Sequence, residues 1–193
     1  MTNIEELLGD LNVTPPVDLE RSTLVSAGAA DQVATTDSAF GPLWISWSPI
    51  GVTGVSPLFA CPTVDEFMEV HRRNVYTASR LPADLTDQID AALEFGTTSE
   101  FPVDLRGITE FQGSVLEACR RIESGSVRSY GWIADELKNP GAVRAVGTAL
   151  GHNPIPLLIP CHRVVRSDGS IGSYAFGSDM KHDLLLSEGA ILA

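Results

Sequence analysis

A cysteine, a histidine and an arginine stand side by side in PIPLLIPCHRVV, residues 154–165, as Cys161, His162 and Arg163. Cysteine attacks as its thiolate, which in apolar surroundings forms at neutral pH only with help from an adjacent base or dipole. His162 is the nearest candidate base, but neighbouring side chains on an extended backbone point to opposite faces. The pair can act together only through a sharp turn or a bridging water. The residues alone leave two interpretations open, an activated thiol or a coincidental pair.

Other uses of a cysteine beside a histidine fit less well. A zinc deaminase carries P-C-x-x-C, and here Val164 stands where the second cysteine would be. A papain-like hydrolase has its histidine far downstream of the nucleophile, whereas His182 follows closely in a polar helix. The other cysteines, Cys61 and Cys119, form no C-x-x-C pair, which argues against a disulfide framework and a structural zinc site. Nothing in the sequence calls for a metal or a cofactor.

The negative charge of the chain is unevenly distributed. Of the net charge of −12 over 193 residues, residues 1–100 hold −11 and residues 101–193 hold −1. Residues 119–166 carry seven bases and three acids, which gives +4. An anionic partner would meet this window, although a solvated face of mixed charge explains it as well.

The composition is that of a globular chain with a buried core, since 44% of the residues are hydrophobic and 20% are charged. No apolar run approaches the roughly 18 residues of a membrane span. The N-terminus is acidic where a secretory signal begins with positive charge. We therefore expect a cytoplasmic protein, associated with the nucleoid if the source is prokaryotic, with reduced thiols and no membrane partner.

The elements before residue 103 indicate a small α/β or α+β unit. Alternation at Leu43, Ile45 and Trp47, a turn at SPIG, and alternation at Val52 and Val55 predict a strand pair. NIEELLGDL is a short helical candidate, and the residues that follow it, up to residue 34, show no clear period.

Two helices follow the strand pair. Thr63 and Glu66 have the spacing of a capping box at the start of TVDEFMEVHRRN. Pro82 and Gly96 bracket a second helix.

The elements after residue 103 are closely spaced helices. Thr109 and Gln112 predict a second capping box, for a helix whose apolar stripe includes Cys119 and which stops at Gly125. Cys119 is therefore expected in the core, and a buried structural role is also expected for Cys61.

A pair of short helices, SYGWIADELKN with Ser129 as its N-cap and AVRAVGTALG, is joined by an NPG turn. This is the sequence shape of a helix-turn-helix, and an ordinary helical hairpin is the alternative. The second helix carries small residues around the single cation Arg144. A helix with so small a face can approach a DNA groove closely.

NPIPLLIPCHRVVRSDGSIGSY resembles the signature of the O6-alkylguanine-DNA alkyltransferases, also called methylated-DNA–protein-cysteine methyltransferases: P-C-H-R-V preceded by N-P-x-P and followed by G-x-Y. VDLRGITEFQGSVLEACRRIESGSVRSYGWIADEL is similar to the segment that precedes the signature, and AVRAVGTAL to the family's recognition helix. The similarity runs from Val103 to Gly189, and residues 36–57 fit the N-terminal domain of the family more loosely.

The resemblance implies a two-domain α+β or α/β fold. Residues 1–34 form an N-terminal segment without assignment. Residues 35–103 form a small α/β domain, ribonuclease H-like in this family. Residues 104–193 form a mainly helical domain with a helix-turn-helix, which binds DNA and accepts the alkyl group.

The resemblance also implies catalytic roles. Cys161 is the alkyl acceptor, His162 its base through a water, and Glu188 the carboxylate that orients the histidine, in a relay analogous to a catalytic triad. Tyr130 matches the tyrosine that protonates the departing guanine, and Asn153 the asparagine that braces the turn before the cysteine.

Further positions match the DNA surface and the base pocket. Arg144 matches the arginine finger that fills the hole left in the duplex. The other DNA-surface positions are Ala142, Val143, Gly147 and Ser167, and the pocket positions are Leu150, Pro156, Val164, Tyr174 and Ala175. Phe176 stands where some relatives have glycine, which predicts a pocket rim too tight for bulky adducts.

The implied function is direct reversal of damage in double-stranded DNA. The alkyl group of O6-alkylguanine, and of O4-alkylthymine, passes irreversibly to Cys161 in a single turnover after the base is flipped out of the duplex. No cofactor takes part, and a monomer is expected. One alternative is a non-catalytic relative that binds alkylated DNA and recruits other repair factors, against which Cys161, His162 and Glu188 argue. The other is a helix-turn-helix regulator, for which residues 1–34 are too short to supply the additional module.

Overall fold

The computed structural model describes residues 19–71, 73–96 and 101–192, which form a mixed α+β fold. The strands are β1 (Asp31–Thr36), β2 (Leu43–Trp47), β3 (Val52–Pro57), β4 (Val75–Thr77), β5 (Arg128–Ser129) and β6 (Val164–Val165). The helices are α1 (Leu19–Ser26), α2 (Val64–Val70), α3 (Ala83–Phe95), α4 (Glu110–Arg120), α5 (Tyr130–Glu136), α6 (Val143–Gly151) and α7 (Ser178–Ser187), with 3₁₀ turns at Pro140–Ala142 and Cys161–Arg163. In this part of the chain, no helix is long and apolar enough to cross a membrane.

The first four strands form one sheet in the order β3-β2-β1-β4. The predicted strand pair is confirmed as the antiparallel hairpin β2–β3, in which Ile45 lies opposite Val55. β1 pairs antiparallel with β2 and parallel with β4. Neither β1 nor β4 was predicted, nor was α1, which buries no residue and so carries no apolar stripe. The helical candidate at residues 3–11 lies outside the described residues.

The predicted helix caps are confirmed with two corrections, the first of which is that α4 ends at Arg120 and not at the predicted stop, Gly125. Thr63 and Glu66 form the complete capping box of α2, and α3 ends at Gly96, whose φ is +64°. At α4, the Thr109 hydroxyl accepts the Gln112 backbone N–H, but the Gln112 side-chain amide donates to the His152 carbonyl instead of accepting from the cap. The second capping box is therefore only half formed, because Gln112 is buried against the end of α6.

The segment that leads into α4 is joined to the sheet by backbone hydrogen bonds. Val52 donates to the Pro102 carbonyl and accepts from Asp104 N–H, so Val103 pairs with Val52 in parallel. Gly51 makes this approach possible, since a Cβ there would lie 2.5 Å from the Pro102 carbonyl. The helices that follow are thereby fixed against the sheet.

Two buried carboxylates reinforce this junction. Arg73 lies between them, 2.9 Å from Asp31 and 2.7 Å from Asp104. Asp104 also accepts from Arg106, and Asp31 is 2.8 Å from Nε2 of His71. Although burial raises the pKa of Asp104, these hydrogen bonds hold it well below its usual range. Both carboxylates are therefore paired with Arg73, as buried acidic groups require.

A single cluster of buried apolar side chains extends from Ile45 and Val55 in the sheet through Leu116 of α4 to Leu184 of α7. Helices α5 and α6 pack on one another and on α4 across the 3₁₀ turn at Pro140–Ala142. DNA binding by this helix pair, a ribonuclease H-like N-terminal domain, and boundaries at residues 34 and 103 stay predictions.

Replacing Gly51 with alanine should lower the free energy of unfolding by about 2–3 kcal/mol, because the backbone of Pro102 cannot move away without breaking the pairing with β3. Urea unfolding measures the change. Gly113→Ala is the control of opposite sign, since a methyl there would meet only Ile108 Cδ1 at 3.9 Å. This substitution in the middle of a helix should stabilise by about 0.5–1 kcal/mol. Equal effects of the two substitutions would contradict the steric argument.

Candidate active site

Asn153 holds the loop that precedes Cys161 from both ends. Its Oδ1 accepts the Ile155 N–H at 3.0 Å, and its Nδ2 donates to the Ile159 carbonyl at 3.1 Å. The same Nδ2 lies 3.3 Å from the Cys161 sulfur, to which it donates a further hydrogen bond. The sheet supports the loop, because the Val55 N–H donates to the Pro154 carbonyl at 2.9 Å. The thiol is therefore placed by backbone and amide contacts, with 7% of the residue exposed.

The sharp turn that a Cys–His pair needs is the 3₁₀ turn Cys161–Arg163. His162 is buried within it, and its Nε2 lies 2.9 Å from Oε1 of Glu188. A carboxylate only accepts, so Nε2 carries the proton and Nδ1 is left as an acceptor. Burial lowers the pKa of His162 in spite of Glu188, so the ring is neutral at pH 7 and Nδ1 can take up a proton.

Arg163 neutralises Glu188 in the interior. Its guanidinium donates to both carboxylate oxygens, at 3.0 and 2.9 Å. It also donates to the carbonyls of Ile122 at 2.6 Å and Gly96 at 3.1 Å. A side chain at Gly96 would come within 2.9 Å of this guanidinium. Burial raises the pKa of Glu188, but the hydrogen bonds from His162 and Arg163 outweigh it and lower the pKa to about 2.

Lys181 places a second buried cation near the thiol. Its Nζ donates to the carbonyls of Val164 at 2.6 Å and Ser173 at 3.3 Å. Burial lowers the pKa of Lys181 to about 8, and the charge of Cys161 acts in the opposite direction. Burial also raises the pKa of the Cys161 thiol, while the Asn153 hydrogen bond and the Lys181 charge lower it. The site thus favours a neutral thiol at rest and a stabilised thiolate when a proton acceptor is available.

The sulfur opens into a cavity of about 200 Å³. Its lining residues are Tyr130, Gly147, Leu150, Gly151, Cys161, Ser173, Tyr174 and Ala175. The cavity brings together Cys161, Tyr130 and three of the five predicted pocket residues, namely Leu150, Tyr174 and Ala175.

The two remaining pocket residues lie elsewhere. Pro156 lines a neighbouring cavity of about 410 Å³, together with Phe176. Val164 is buried in β6 and lines neither cavity. The Phe176 ring lies 5.6 Å from the Tyr174 ring and 6.0 Å from the Phe59 ring. Phe176 therefore borders the small cavity only through Tyr174.

Tyr130 is the first residue of α5, and two features place it in the wall of the cavity that Cys161 also lines. β5, directly before it, pairs in parallel with β6, directly after the Cys161 turn. A Cβ at Gly172 would lie 3.4 Å from the Tyr130 hydroxyl, and one at Gly147 would lie 3.9 Å from its ring. Burial and then the charge of Cys161 raise the pKa of Tyr130, so the phenol keeps its proton at neutral pH.

Helix α6 connects the cavity to the surface. Gly147 and Gly151 line the cavity, and Arg144, which is three and seven residues before them, shares their helix face and is exposed. Val143 is also exposed, and Ala142 precedes the helix in the 3₁₀ turn. Ser167 is exposed in the turn that follows β6.

The remaining histidine and cysteine candidates do not line the cavity into which the Cys161 sulfur opens. His182 is 46% exposed and lies 3.5 Å from Asp183. Cys61 and Cys119 are free and buried, and the expected core position of Cys119 is confirmed. Within the described ranges, no three His, Cys, Asp or Glu side chains are grouped so that they could hold a metal ion.

The structural roles of Arg163 and Lys181 were not predicted from the sequence. A signal existed for Lys181, because Leu184 and Leu185 follow at helical spacing and share its buried face. The lysine therefore belongs to the apolar stripe of α7. No local signal marks Arg163, whose partners lie 25 to 67 residues away in sequence.

A family model described as "6-O-methylguanine DNA methyltransferase, DNA binding domain" matches residues 110–190. A methylated-DNA–protein-cysteine methyltransferase of Mycolicibacterium paratuberculosis is 41% identical over 147 residues, which cover 73% of this chain and 88% of the relative. A second relative with the same name, from Mycobacterium tuberculosis, is 39% identical over 153 residues, which cover 78% of this chain and 88% of the relative.

Solved structures show a similar fold. Mycobacterium tuberculosis OGT in complex with DNA matches with a TM-score of 0.64 and 33% identity, over 81% of this chain and 92% of that chain. The O6-methylguanine-DNA methyltransferase of Pyrococcus kodakaraensis matches with a TM-score of 0.63 and 28% identity, over 82% of this chain and 99% of that chain.

Glu188→Gln should lower the free energy of unfolding by about 3–5 kcal/mol, because it leaves Arg163 buried without a counter-charge. The pKa of Glu188 is depressed, so its contribution is complete above the unfolded value near 4.5 and is lost as the pH falls towards about 2. Urea unfolding from pH 7 to 2.5 should therefore show the advantage of the wild type narrowing only below about pH 4.5. Glu136→Gln removes an exposed ion pair of equal length, 2.9 Å, and should cost less than about 1 kcal/mol. A gap between wild type and Glu188→Gln that is constant over this pH range would contradict the assignment.

Proposed function

The chain belongs to the methylated-DNA–protein-cysteine methyltransferase family, whose members repair alkylated DNA, and we propose that Cys161 is the residue that takes up the alkyl group. One observation carries this assignment. A thiol in the wall of a base-sized cavity has an orienting amide, Asn153, beside it. Next to it in the chain is a neutral histidine that is fixed by a partly buried carboxylate. Each part of an activated nucleophile is present.

The reaction is an alkyl transfer from oxygen to sulfur. The Cys161 proton passes through a water to Nδ1 of His162, and the thiolate attacks the alkyl carbon of O6-alkylguanine. The carbon–oxygen bond breaks as the carbon–sulfur bond forms, and the departing guanine takes a proton from Tyr130. The product is a thioether, which no residue of the site can cleave, so each molecule reacts once. The same geometry accepts the alkyl group of O4-alkylthymine.

The substrate base leaves the duplex to reach the sulfur. A base within the stack is out of reach, and the cavity has room for one base. Helix α6 supports this route, because Arg144 projects outside on the helix face that borders the cavity inside. Arg144 fills the space that the flipped base leaves.

Double-stranded DNA with the alkylated base is the proposed partner of a monomer. Ala142, Val143 and Ser167 contact the duplex beside Arg144, and α5 with α6 acts as a helix-turn-helix in the minor groove. Base readout there is degenerate, which suits a protein that needs no sequence preference. Five of the seven basic residues between 119 and 166 are exposed and support binding to phosphates, whereas Arg120 and Arg163 are buried.

Incubation with a duplex that contains one O6-methylguanine should add about 14 Da, one methyl group, to the protein, on the peptide that contains Cys161. Intact-protein and peptide mass spectrometry measure the gain. Cys161→Ala should show none and should still bind the duplex. Cys61→Ala is the matched control and should be methylated like the wild type. Tight binding by the wild type without an adduct would overturn the proposal and favour a protein that reads damage without repairing it.

Arg144→Ala should slow single-turnover methyl transfer from duplex DNA by about tenfold or more and change the reaction with free O6-methylguanine base less than about twofold. The free base needs no flipping, so the ratio of the two rates isolates that step. Arg121→Ala removes an equally charged exposed side chain that pairs with Glu136, and should leave the ratio unchanged. An equal loss in both assays for Arg144→Ala would remove it from this role.

A further inference from the structure

Two buried polar atoms near Cys161 have no hydrogen-bond partner in the described part of the chain. They are Nδ1 of His162 and the hydroxyl oxygen of Tyr174. Buried polar groups are almost always paired, either with protein or with an ordered water. Two unpaired atoms in one core region therefore point to a shared partner.

Both atoms belong to residues that adjoin the same thiol. His162 follows Cys161 directly, and Tyr174 lines the cavity into which the sulfur opens. The His162 and Tyr174 rings meet edge to face, with 6.3 Å between their centroids. Although part of the Tyr174 ring faces the cavity, its hydroxyl is buried. Burial raises the pKa of Tyr174, and the charges of Cys161, Cys119 and Glu188 raise it further, so this hydroxyl is protonated at neutral pH.

The hydrogen-bonding capacities of the three groups fit one water. Nδ1 of His162 can only accept, the thiol of Cys161 donates, and a phenol does either. A water donates twice and accepts twice, so it can satisfy all three groups at once, and buried waters typically make about three hydrogen bonds. A water held by Nδ1 and the thiol alone would have fewer bonds than is typical of buried waters.

We propose that the Tyr174 hydroxyl, together with His162 Nδ1, fixes one buried water against the Cys161 sulfur, so that Tyr174 is a positioning residue for activation of the thiol. This inference rests on the proposed function. One proton leaves Sγ for the water while the water gives one to Nδ1. The water is regenerated, Tyr174 keeps its proton, and the net change is a thiolate beside an imidazolium.

A purely structural role would use the Tyr174 ring instead of its hydroxyl. The ring packs against Phe176 at 5.6 Å and against His162, and both contacts survive replacement by phenylalanine. Tyr174→Phe therefore separates the two roles. Tyr76→Phe is the matched control, because Tyr76 lies in β4 beneath Arg21, outside the site.

Tyr174→Phe should slow single-turnover methyl transfer from the O6-methylguanine duplex about tenfold at pH 7 and change the dissociation constant of the duplex less than about twofold. The pH midpoint for carboxamidomethylation of Cys161 by iodoacetamide, mapped by peptide mass spectrometry, should rise. Tyr76→Phe should match the wild type in all three measurements. The proposal would be overturned if Tyr174→Phe had the same pH midpoint of carboxamidomethylation and the same rate of methyl transfer as the wild type. It would also be overturned if methyl transfer were slower but the pH midpoint were unchanged.

A double-mutant cycle gives an independent test. In a His162→Ala background the water has lost its base, so Tyr174→Phe should slow transfer no further. A further tenfold loss in that background would show that Tyr174 acts by another route and would overturn the proposal.

If Tyr174→Phe does not fold, a high-resolution crystal structure of the wild type tests whether the proposed water is present. A water within about 3.2 Å of both Nδ1 and the Tyr174 hydroxyl supports the proposal, and its absence overturns it. The proposed function fails separately, and only if wild-type Cys161 takes up no methyl group from the duplex.

Discussion

The arrangement of the site depends on the carboxylate of Glu188, whose side chain is only 14% exposed. A charge can be buried only if it is paired, and Arg163 supplies the pairing through two hydrogen bonds. The Arg163 guanidinium also donates hydrogen bonds to the carbonyls of Gly96 and Ile122, which follow α3 and α4. One ion pair therefore joins the ends of three helices, since Glu188 itself ends α7. The same carboxylate orients His162, so the stability of the core and the geometry of the base have a common origin.

The reactivity of the Cys161 thiol depends on effects that shift its pKa in opposite directions. Burial raises the pKa of Cys161, while Asn153 and Lys181 lower it. A protein that reacts once benefits from this balance, because the thiol stays protonated until a substrate and a proton acceptor are both in place. The relay also needs a neutral imidazole, and burial of His162 provides one.

Much of the fold was predictable where a local pattern reflects burial or capping. The hairpin β2–β3, helix α2 and helix α3 follow from alternation, a capping box and terminal glycine. β1 was missed because its sequence, DQVATT, shows little apolar alternation, and β4 because it has only three residues and pairs with the distant β1. The half-formed box at Gln112 has the same cause, since a contact 40 residues away decided the direction of its amide.

The site was predictable to a similar degree. The motif around Cys161 marks the proposed nucleophile and its proposed base, and the family resemblance adds proposed roles for Glu188, Tyr130 and Asn153. The wall of the cavity was harder to predict. Val164 and Pro156 lie elsewhere because strand pairing and loop closure set which side of the backbone each residue faces.

Backbone forms much of the cavity wall. Gly147 and Gly151 border it from α6, and a methyl group at either position would meet nothing nearer than 3.9 Å. The side chains of the proposed proton relay, Cys161, His162 and Glu188, are not among the groups that a methyl group at either glycine would meet. In evolutionary terms, a glycine-to-alanine substitution at either position narrows the cavity and leaves the reactive side chains unchanged. Substrate range and reactivity are thus open to selection on separate residues.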